Sequence, residues 1–244
     1  MAPEAPTLDR QFAEGLLRTF DDPQKFGVHL LFNDWWKYAP QDVIDKFMAD
    51  WKSKPDHVAF IEEQHYADPI TIEALAAMPD GSLGKAYHGF LVDNGLEEKL
   101  AQNYKLLHDM MLKSGMLDKM PEPLQYAILR GFQVHDILHV LTGYEPTPGG
   151  EIALQAFCLA QIRFPYFSMW LSVVTTRMTY LDPDAIIPTM DEVSQGWQFG
   201  RAVPNLQFEK WEDHFERPLA EVRKDYGIAP EGKKPLDGYS LLAA

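Results

Sequence analysis

The chain has 244 residues, a formal net charge of -14 and a hydrophobic fraction of 46%. No stretch concentrates lysine and arginine, which argues against nucleic acid binding and against electrostatic docking on an anionic membrane. The length suits one large domain or two small ones, with enough apolar residues for a sizeable core. Cys158 is the single cysteine, so a disulfide framework and a cysteine-based zinc site are excluded, and a reducing compartment is expected.

In chain order, the sequence predicts helices separated by short turns, with no convincing strand run. Residues 1–7 are rich in alanine and proline and are predicted to be disordered, whereas 229–244 are predicted to form an irregular tail. Two of the predicted helices cover 96–112 and 204–226. The absence of glycine-rich strand-to-helix turns argues against dinucleotide-binding and P-loop folds. We therefore predict one all-α domain over 8–228.

The most apolar region, residues 152–174, is interrupted by two glutamines, an arginine and a proline. A membrane span needs about 20 apolar residues, so none is expected here. The first residues lack the basic segment and apolar run of a signal peptide. These patterns predict a cytoplasmic protein that is attached to the inner face of the membrane at most peripherally.

Two histidines and an aspartate lie within five residues, at His135, Asp136 and His139. Histidines four residues apart lie on one face of a helix, where both imidazoles can reach one metal ion. Asp136 can reach the ion from the side or orient a ligand histidine. Gly143 is expected to end this helix, which places Glu151 in the first turn of the next one. If the two helices pack antiparallel, Glu151 returns beside His139 and the four side chains form one metal site.

On each of the two predicted helices, apolar residues share the face that carries the proposed ligands. Phe132 shares a stripe with the two histidines, and Leu154, Cys158 and Ile162 share a stripe with Glu151. The pattern is typical of ordinary core packing, and it also fits an apolar channel that ends at a metal. Both interpretations remain open from the pattern alone.

A second histidine–aspartate pair occurs at His108 and Asp109, but no histidine follows four residues later. We predict that it is a surface pair. Helical phosphohydrolases also use such pairs, and they need further ligands on separate helices. His88 is available for that purpose, but no spacing supports it, so a phosphohydrolase is the less favoured hypothesis.

The motif of two histidines, an aspartate and a glutamate resembles the signature of the Coq-four family, which acts in ubiquinone (coenzyme Q) biosynthesis. The segment LAAMPDGSLGKAYHGFLVDNGL at 75–96 resembles the family's segment before the site. Gly200-Arg201 and the pattern around 211–223 resemble the family's C-terminal part. The resemblance therefore extends over 75–227.

This resemblance implies an all-helical protein that binds a divalent metal through His135, Asp136, His139 and Glu151. Zinc is the first expectation, and iron(II) and manganese(II) are alternatives with suitable ligand preferences. The implied activity is oxidative decarboxylation at ring carbon 1 of a polyprenylated 4-hydroxybenzoate derivative, in which hydroxyl replaces carboxylate. The alternative is a non-catalytic scaffold that holds the prenyl tail and organises other enzymes of quinone biosynthesis.

The same resemblance, together with the excess of aromatic residues, predicts a homodimer. The expected partners are a prenylated aromatic or quinone precursor and other enzymes of the pathway, with no nucleic acid. Candidate substrate-binding residues are Phe132, Leu154, Cys158, Gln161, Ile162 and Arg201.

Overall fold

A computed structural model describes residues 8–23, 25–115 and 117–229. Within them there are twelve α-helices, three short 3-10 helices and no β-strand, so the predicted all-α fold is confirmed. No helix in this part of the chain combines the length and apolarity needed to cross a bilayer. The predicted disordered segment 1–7 and the tail from residue 230 lie outside the described residues.

The α-helices are α1 (Arg10–Asp21), α2 (Val28–Tyr38), α3 (Gln41–Lys52), α4 (Pro55–Glu63), α5 (Ile72–Ala76), α6 (Leu83–Asn94), α7 (Tyr104–Lys113), α8 (Glu122–Thr142), α9 (Pro148–Ile162), α10 (Pro165–Leu181), α11 (Ile186–Ala202) and α12 (Leu219–Asp225).

Helix α8 is the central helix, because it buries side chains on every face. Leu124, Leu129 and Val134 point in different directions from its axis, and all are buried. A helix that is apolar all round belongs in a protein interior. The helix ends at Gly143, whose φ of 79° is left-handed and whose N–H donates to the His139 carbonyl at 2.8 Å. The predicted helix end is confirmed, and glycine adopts this conformation without strain.

Five residues separate the end of α8 from the start of α9. The Thr147 hydroxyl accepts a hydrogen bond from the Gly150 N–H at 3.2 Å, and Pro148 occupies the first helical position. Both features are favourable at a helix start. Glu151 therefore lies in the first turn, as the sequence predicts.

Helix α9 packs most extensively against α11, and glycines make this close approach possible. A Cβ atom at Gly196 would lie 1.9 Å from the Ala153 carbonyl oxygen, and one at Gly200 would lie 2.5 Å from the Phe157 carbonyl oxygen. The absence of side chains lets the two backbones touch. Helix α11 thus fixes the position of the helix that carries Glu151.

The prediction of one helix over 96–112 is wrong, since two elements occupy this region. A 3-10 helix covers Glu97–Ala101, and α7 starts afresh after Asn103. The Asn103 side chain accepts a hydrogen bond from the Leu106 N–H at 2.9 Å. Asparagine used as an N-cap in this way separates the two elements.

The prediction of one helix over 204–226 is also wrong. A loop is followed by a 3-10 helix at Trp211–His214 and then by α12. The Leu206 N–H donates to Gln161 Oε1 at 2.9 Å, and the Leu206 carbonyl accepts from Trp211 Nε1 at 3.0 Å. Side chains thus satisfy backbone groups that a helix would otherwise pair.

His57 on α4 is a buried histidine within an aromatic cluster. Its ring centroid lies 4.5 Å from that of Trp51 and 4.8 Å from that of Phe208, and 2% of the residue is exposed. Its Nδ1 atom has no hydrogen-bond partner among the described residues. Burial lowers the pKa of His57 from 6.5 to about 4, because the apolar surroundings disfavour the charged imidazolium.

We expect this histidine to make the fold sensitive to mild acid. Between pH 6.5 and 4 the unfolded chain binds the proton and the folded chain does not, so stability falls as the pH falls through this range. The full effect corresponds to about 3 kcal/mol. Thermal unfolding with a chelator present should show a shallower pH dependence for His57→Phe than for wild type. An unchanged slope in His57→Phe would contradict the assignment.

Candidate metal centre

Three side chains from α8 and α9 converge where these helices meet. The Nε2 atoms of His135 and His139 are 3.3 Å apart. Glu151 places one carboxylate oxygen 3.4 Å from the first of these nitrogens and the other oxygen 3.2 Å from the second. The three residues can each offer one ligand atom, with all of these atoms within 4.8 Å of one another. Among the described residues they form the single group of this kind.

The hydrogen bond of His139 determines which ring nitrogen faces the cluster as an acceptor. Its Nδ1 atom lies 2.8 Å from the Tyr144 carbonyl oxygen, which can only accept. Nδ1 therefore carries the hydrogen, and in the neutral ring Nε2 presents a lone pair to the cluster. The ring is fully buried and stacks on Phe90 with centroids 5.4 Å apart. This arrangement is typical of a metal-binding histidine whose second nitrogen is held by the protein.

The charge of Glu151 completes the donor set. Burial raises the pKa of its carboxyl group, but the hydrogen bonds and charges of the two imidazoles in their protonated form outweigh this effect. The net result is a pKa well below the ordinary range, so the group is a carboxylate near neutral pH. Two imidazole nitrogens and one carboxylate, packed so closely, fit a bound cation.

The spacing of the donor atoms also fits a metal. In a tetrahedral site with bonds of about 2.0–2.1 Å, ligand atoms lie about 3.3 Å apart. The shortest separations here are 3.2 to 3.4 Å, with Glu151 approaching the two histidines through different carboxylate oxygens, and all ligand atoms lie within 4.8 Å of one another. A set of three protein ligands leaves a position for substrate, as in catalytic zinc sites and in the two-histidine, one-carboxylate sites of iron(II) oxygenases.

Asp136, the fourth predicted ligand, is not brought into this cluster. A helix turns about 100° per residue, so its carboxylate points away from the neighbouring His135. The two carboxylate oxygens accept hydrogen bonds from Lys99 Nζ at 3.1 and 3.2 Å. This ion pair lines a separate cavity of about 460 Å³. Asp136 as a metal ligand stays a prediction that this geometry does not support.

An apolar cavity of about 220 Å³ opens beside the cluster. His135 and Glu151 lie in its wall, and most of the remaining lining is aromatic or aliphatic. Burial and the nearby Glu151 charge together raise the pKa of Tyr166 to about 12, so the phenol is neutral. Burial likewise raises the pKa of the Cys158 thiol to about 12. The cavity can therefore hold an apolar ring, but it offers no thiolate nucleophile.

The predicted substrate-binding residues fall into two groups. Phe132, Cys158 and Ile162 line this cavity, with Phe132 exposed to solvent. Leu154 is instead buried in the core outside the cavity wall. Gln161 donates to the Pro204 carbonyl at 2.7 Å.

The last predicted substrate contact, Arg201, also lies away from the cavity. It places its guanidinium group 5.9 Å from the ring centroid of Trp197. Like Gln161, it lines a different surface depression. Gln161 contacts the end of α11 and the loop after it, Arg201 lies on α11, and the geometry gives neither residue a contact with the cluster.

Sequence reasoning missed several residues of the cavity wall. Gln155 lies one helical turn after Glu151, and Tyr166 and Trp170 come from α10. The spacing of four residues from Glu151 to Gln155 was a usable signal, because such residues share a face. The contribution of α10 depends on tertiary packing and has no local signal.

A family model described as "Coenzyme Q (ubiquinone) biosynthesis protein Coq4" matches residues 61–231. The chain belongs to the Coq4 family. The predicted resemblance is thereby confirmed, and it covers the whole cluster. Helices α1, α2 and α3 of this Coq4-family protein lie before the matched residues.

Individual relatives are distant but span most of this Coq4-family chain. A rat protein named ubiquinone biosynthesis protein COQ4 homolog, mitochondrial, is 27% identical over 191 residues, which cover 77% of this chain and 67% of the rat protein. A Nematostella vectensis protein of the same name is 26% identical over 178 residues, covering 70% of this chain and 76% of the relative. A crystal structure from Nostoc punctiforme has a TM-score of 0.67 and 24% identity, covering 89% of this chain and 94% of the other, which supports the fold.

Proposed function

We propose that this Coq4-family protein catalyses a metal-dependent oxidative decarboxylation in ubiquinone biosynthesis. The substrate is a polyprenylated hydroxybenzoate, which loses its carboxylate at ring carbon 1 as carbon dioxide and gains a hydroxyl. Dioxygen is the oxidant: one of its atoms enters the hydroxyl and the other leaves as water, with two electrons from a reductant. The observation that carries this proposal is the cluster of His135, His139 and Glu151 in the wall of an aromatic cavity. The three donors leave room for one oxygen ligand of the substrate.

Each residue has a role that follows from its contacts. His139 is held by the Tyr144 carbonyl and by Phe90, so its ligand nitrogen is fixed before substrate arrives. Glu151 supplies the negative charge that neutralises part of a divalent cation. When bound, zinc or iron(II) would polarise the substrate carboxylate or phenolate, and iron(II) would also supply redox chemistry. The aromatic side chains of the cavity wall would pack against the reacting ring and reduce its contact with water.

A second apolar surface suits the prenyl tail. A groove of about 580 Å³ lies between α2 and α10, and its lining includes Val28, Val173 and Leu181. It shares Tyr166 and Trp170 with the cavity beside the cluster. Burial of an isoprenoid chain there would contribute about 25 cal/mol per Å² of apolar surface. The substrate would place its ring in the cavity and its prenyl tail in the groove.

The same groove favours a second candidate function, a non-catalytic scaffold for prenylated lipid. In that case the metal only joins α8 to α9. This alternative predicts binding of prenylated substrate without any conversion, whether or not oxygen is present. The predicted homodimer, peripheral membrane contact and association with other quinone-biosynthesis enzymes belong to both proposals.

Elemental analysis followed by an activity assay separates the two functions. The purified protein is expected to contain about one equivalent of zinc or iron per chain. A prenylated hydroxybenzoate should then release carbon dioxide and give the ring-hydroxylated product in air, and removal of the metal should abolish this turnover. Binding without product under aerobic conditions, with the metal present and a reductant supplied, would overturn the enzymatic proposal in favour of the scaffold.

A further inference from the structure

The cavity beside the metal cluster contains a buried polar side chain, Gln155, that the proposed reaction does not use. Gln155 lines this cavity, and only 5% of the residue is exposed. Its Oε1 atom is buried and has no hydrogen-bond partner among the described residues. Cys158 and Gln207 in the same wall are paired with each other, since Gln207 Nε2 donates to Cys158 Sγ at 3.2 Å.

An unpaired buried amide oxygen is unfavourable for folding. Most buried polar atoms in native proteins have a partner, and leaving one without a partner costs the energy of removing it from water. A leucine at position 155 would fill a similar volume without this penalty. The glutamine therefore points to a partner that arrives with the ligand.

The position of Gln155 relative to the cluster suggests what that partner is. It lies four residues after Glu151 on α9, so both side chains project from the same face. One helical turn rises about 5.4 Å, which is similar to the distance across a para-substituted benzene ring. A cavity of about 220 Å³ is large enough for one substituted ring, since an engineered cavity of about 150 Å³ binds benzene.

We propose that Gln155 is a specificity-determining residue whose carboxamide forms a hydrogen bond with a ring hydroxyl of the aromatic substrate. This inference rests on the proposed function for the class of ligand. The carboxylate of the substrate faces the cluster at Glu151, and the hydroxyl faces the Gln155 carboxamide. A hydroxyl both donates and accepts, so it pairs with the amide in either orientation of its oxygen and nitrogen. Ring acids without that hydroxyl leave the amide unpaired and bind less well.

The test is a comparison of two ligands that differ in one hydroxyl. The probes are 3-geranyl-4-hydroxybenzoate and 3-geranylbenzoate, titrated calorimetrically into the metal-containing protein without oxygen. Wild type is expected to bind the hydroxylated acid about tenfold more tightly. In Gln155→Leu the preference should disappear, while the affinity for 3-geranylbenzoate should be kept or increased.

Gln125 offers a matched control, because it is also a buried glutamine but its amide is paired. Its Nε2 atom donates to the Leu117 and Met120 carbonyls at 3.1 and 2.9 Å. Gln125→Leu should lower the unfolding temperature, whereas Gln155→Leu should leave it unchanged or raise it. An equal loss of stability in both variants would overturn the inference, because Gln155 would then have a structural partner.

The binding experiment also separates this inference from the proposed activity. Wild type that prefers the hydroxylated acid but converts nothing would contradict the decarboxylation and support the role of Gln155. Equal affinity for the two acids in wild type, or a preference that persists in Gln155→Leu, would overturn the role of Gln155 whatever the turnover.

Discussion

The His139→Ala variant is expected to purify without stoichiometric metal and without activity on a prenylated hydroxybenzoate. His139 contributes one of three donors, and its ring is fixed by the Tyr144 carbonyl at 2.8 Å. Loss of residues that merely orient a ligand lowers metal affinity about 10- to 100-fold, so loss of the ligand itself should lower it by at least about 100-fold. Elemental analysis and turnover measured on the same preparation provide the test.

Stability should report the same loss independently of activity. A saturating metal stabilises the folded wild type by mass action, by about 2.7 kcal/mol at a hundred times Kd. The His139→Ala variant should show no such increase in unfolding temperature when zinc is added. His108→Ala is the matched control, because His108 contacts Tyr66 at 3.1 Å and lies outside the cluster. Full turnover in metal-free His139→Ala protein would refute the proposed chemistry.

Asp136→Asn distinguishes a three-ligand centre from a four-ligand centre. The carboxylate pairs with Lys99, so the structure predicts that metal content is unchanged in this variant. A loss of metal comparable to that of His139→Ala would restore Asp136 as a ligand. Circular dichroism on the same sample verifies that the variant is folded, because replacement leaves Lys99 without its buried partner.

The sequence was sufficient to predict the cluster because its determinants are local. The i, i+4 spacing of His135 and His139 needs only a helix. The end of that helix depends on Gly143, and the start of the next depends on Thr147 and Pro148. These signals are separated by a few residues, so the placement of Glu151 in the first turn of α9 follows from local signals. Its return beside His139 rested on the assumed antiparallel packing of the two helices.

The parts that the sequence did not predict depend on distant residues. Asp136 has its partner in the 3-10 helix at Glu97–Ala101, far away in the chain. Residues 204–226 do not form one helix, because the side chains of Gln161 and Trp211 pair with the backbone of Leu206. Such hydrogen bonds between separate parts of the chain override local helical periodicity, and no local sequence pattern predicts them.

Arg130 also makes long-range hydrogen bonds from the central helix. Arg130 lies on α8, five residues before His135, and only 1% of it is exposed. Its guanidinium group makes two hydrogen bonds to the Glu212 carboxylate, at 2.6 and 2.9 Å, and one to the Glu209 carbonyl at 3.0 Å. It therefore ties the central helix to the 3-10 helix at Trp211–His214.

Arg130→Met should lower the free energy of unfolding by about 3 kcal/mol, because it leaves the Glu212 carboxylate largely buried without its bidentate partner. For a chain of this size that corresponds to a decrease of about 6–12 °C in unfolding temperature. Scanning calorimetry of the metal-free protein provides the measurement. Adding Glu212→Gln to Arg130→Met should recover part of the loss, since the unpaired charge is then removed.

The exposed pair of Lys46 and Asp42 is the matched control, with side chains that are 77% and 68% exposed. Lys46→Met should leave the unfolding temperature unchanged, because solvent and salt already screen that pair. If Arg130→Met unfolded within about one degree of wild type, the buried pair would hold α8 no more firmly than a surface pair does. The cluster five residues further along the helix would then owe its geometry to the contacts of α8 with the core and to the packing of α9 on α11.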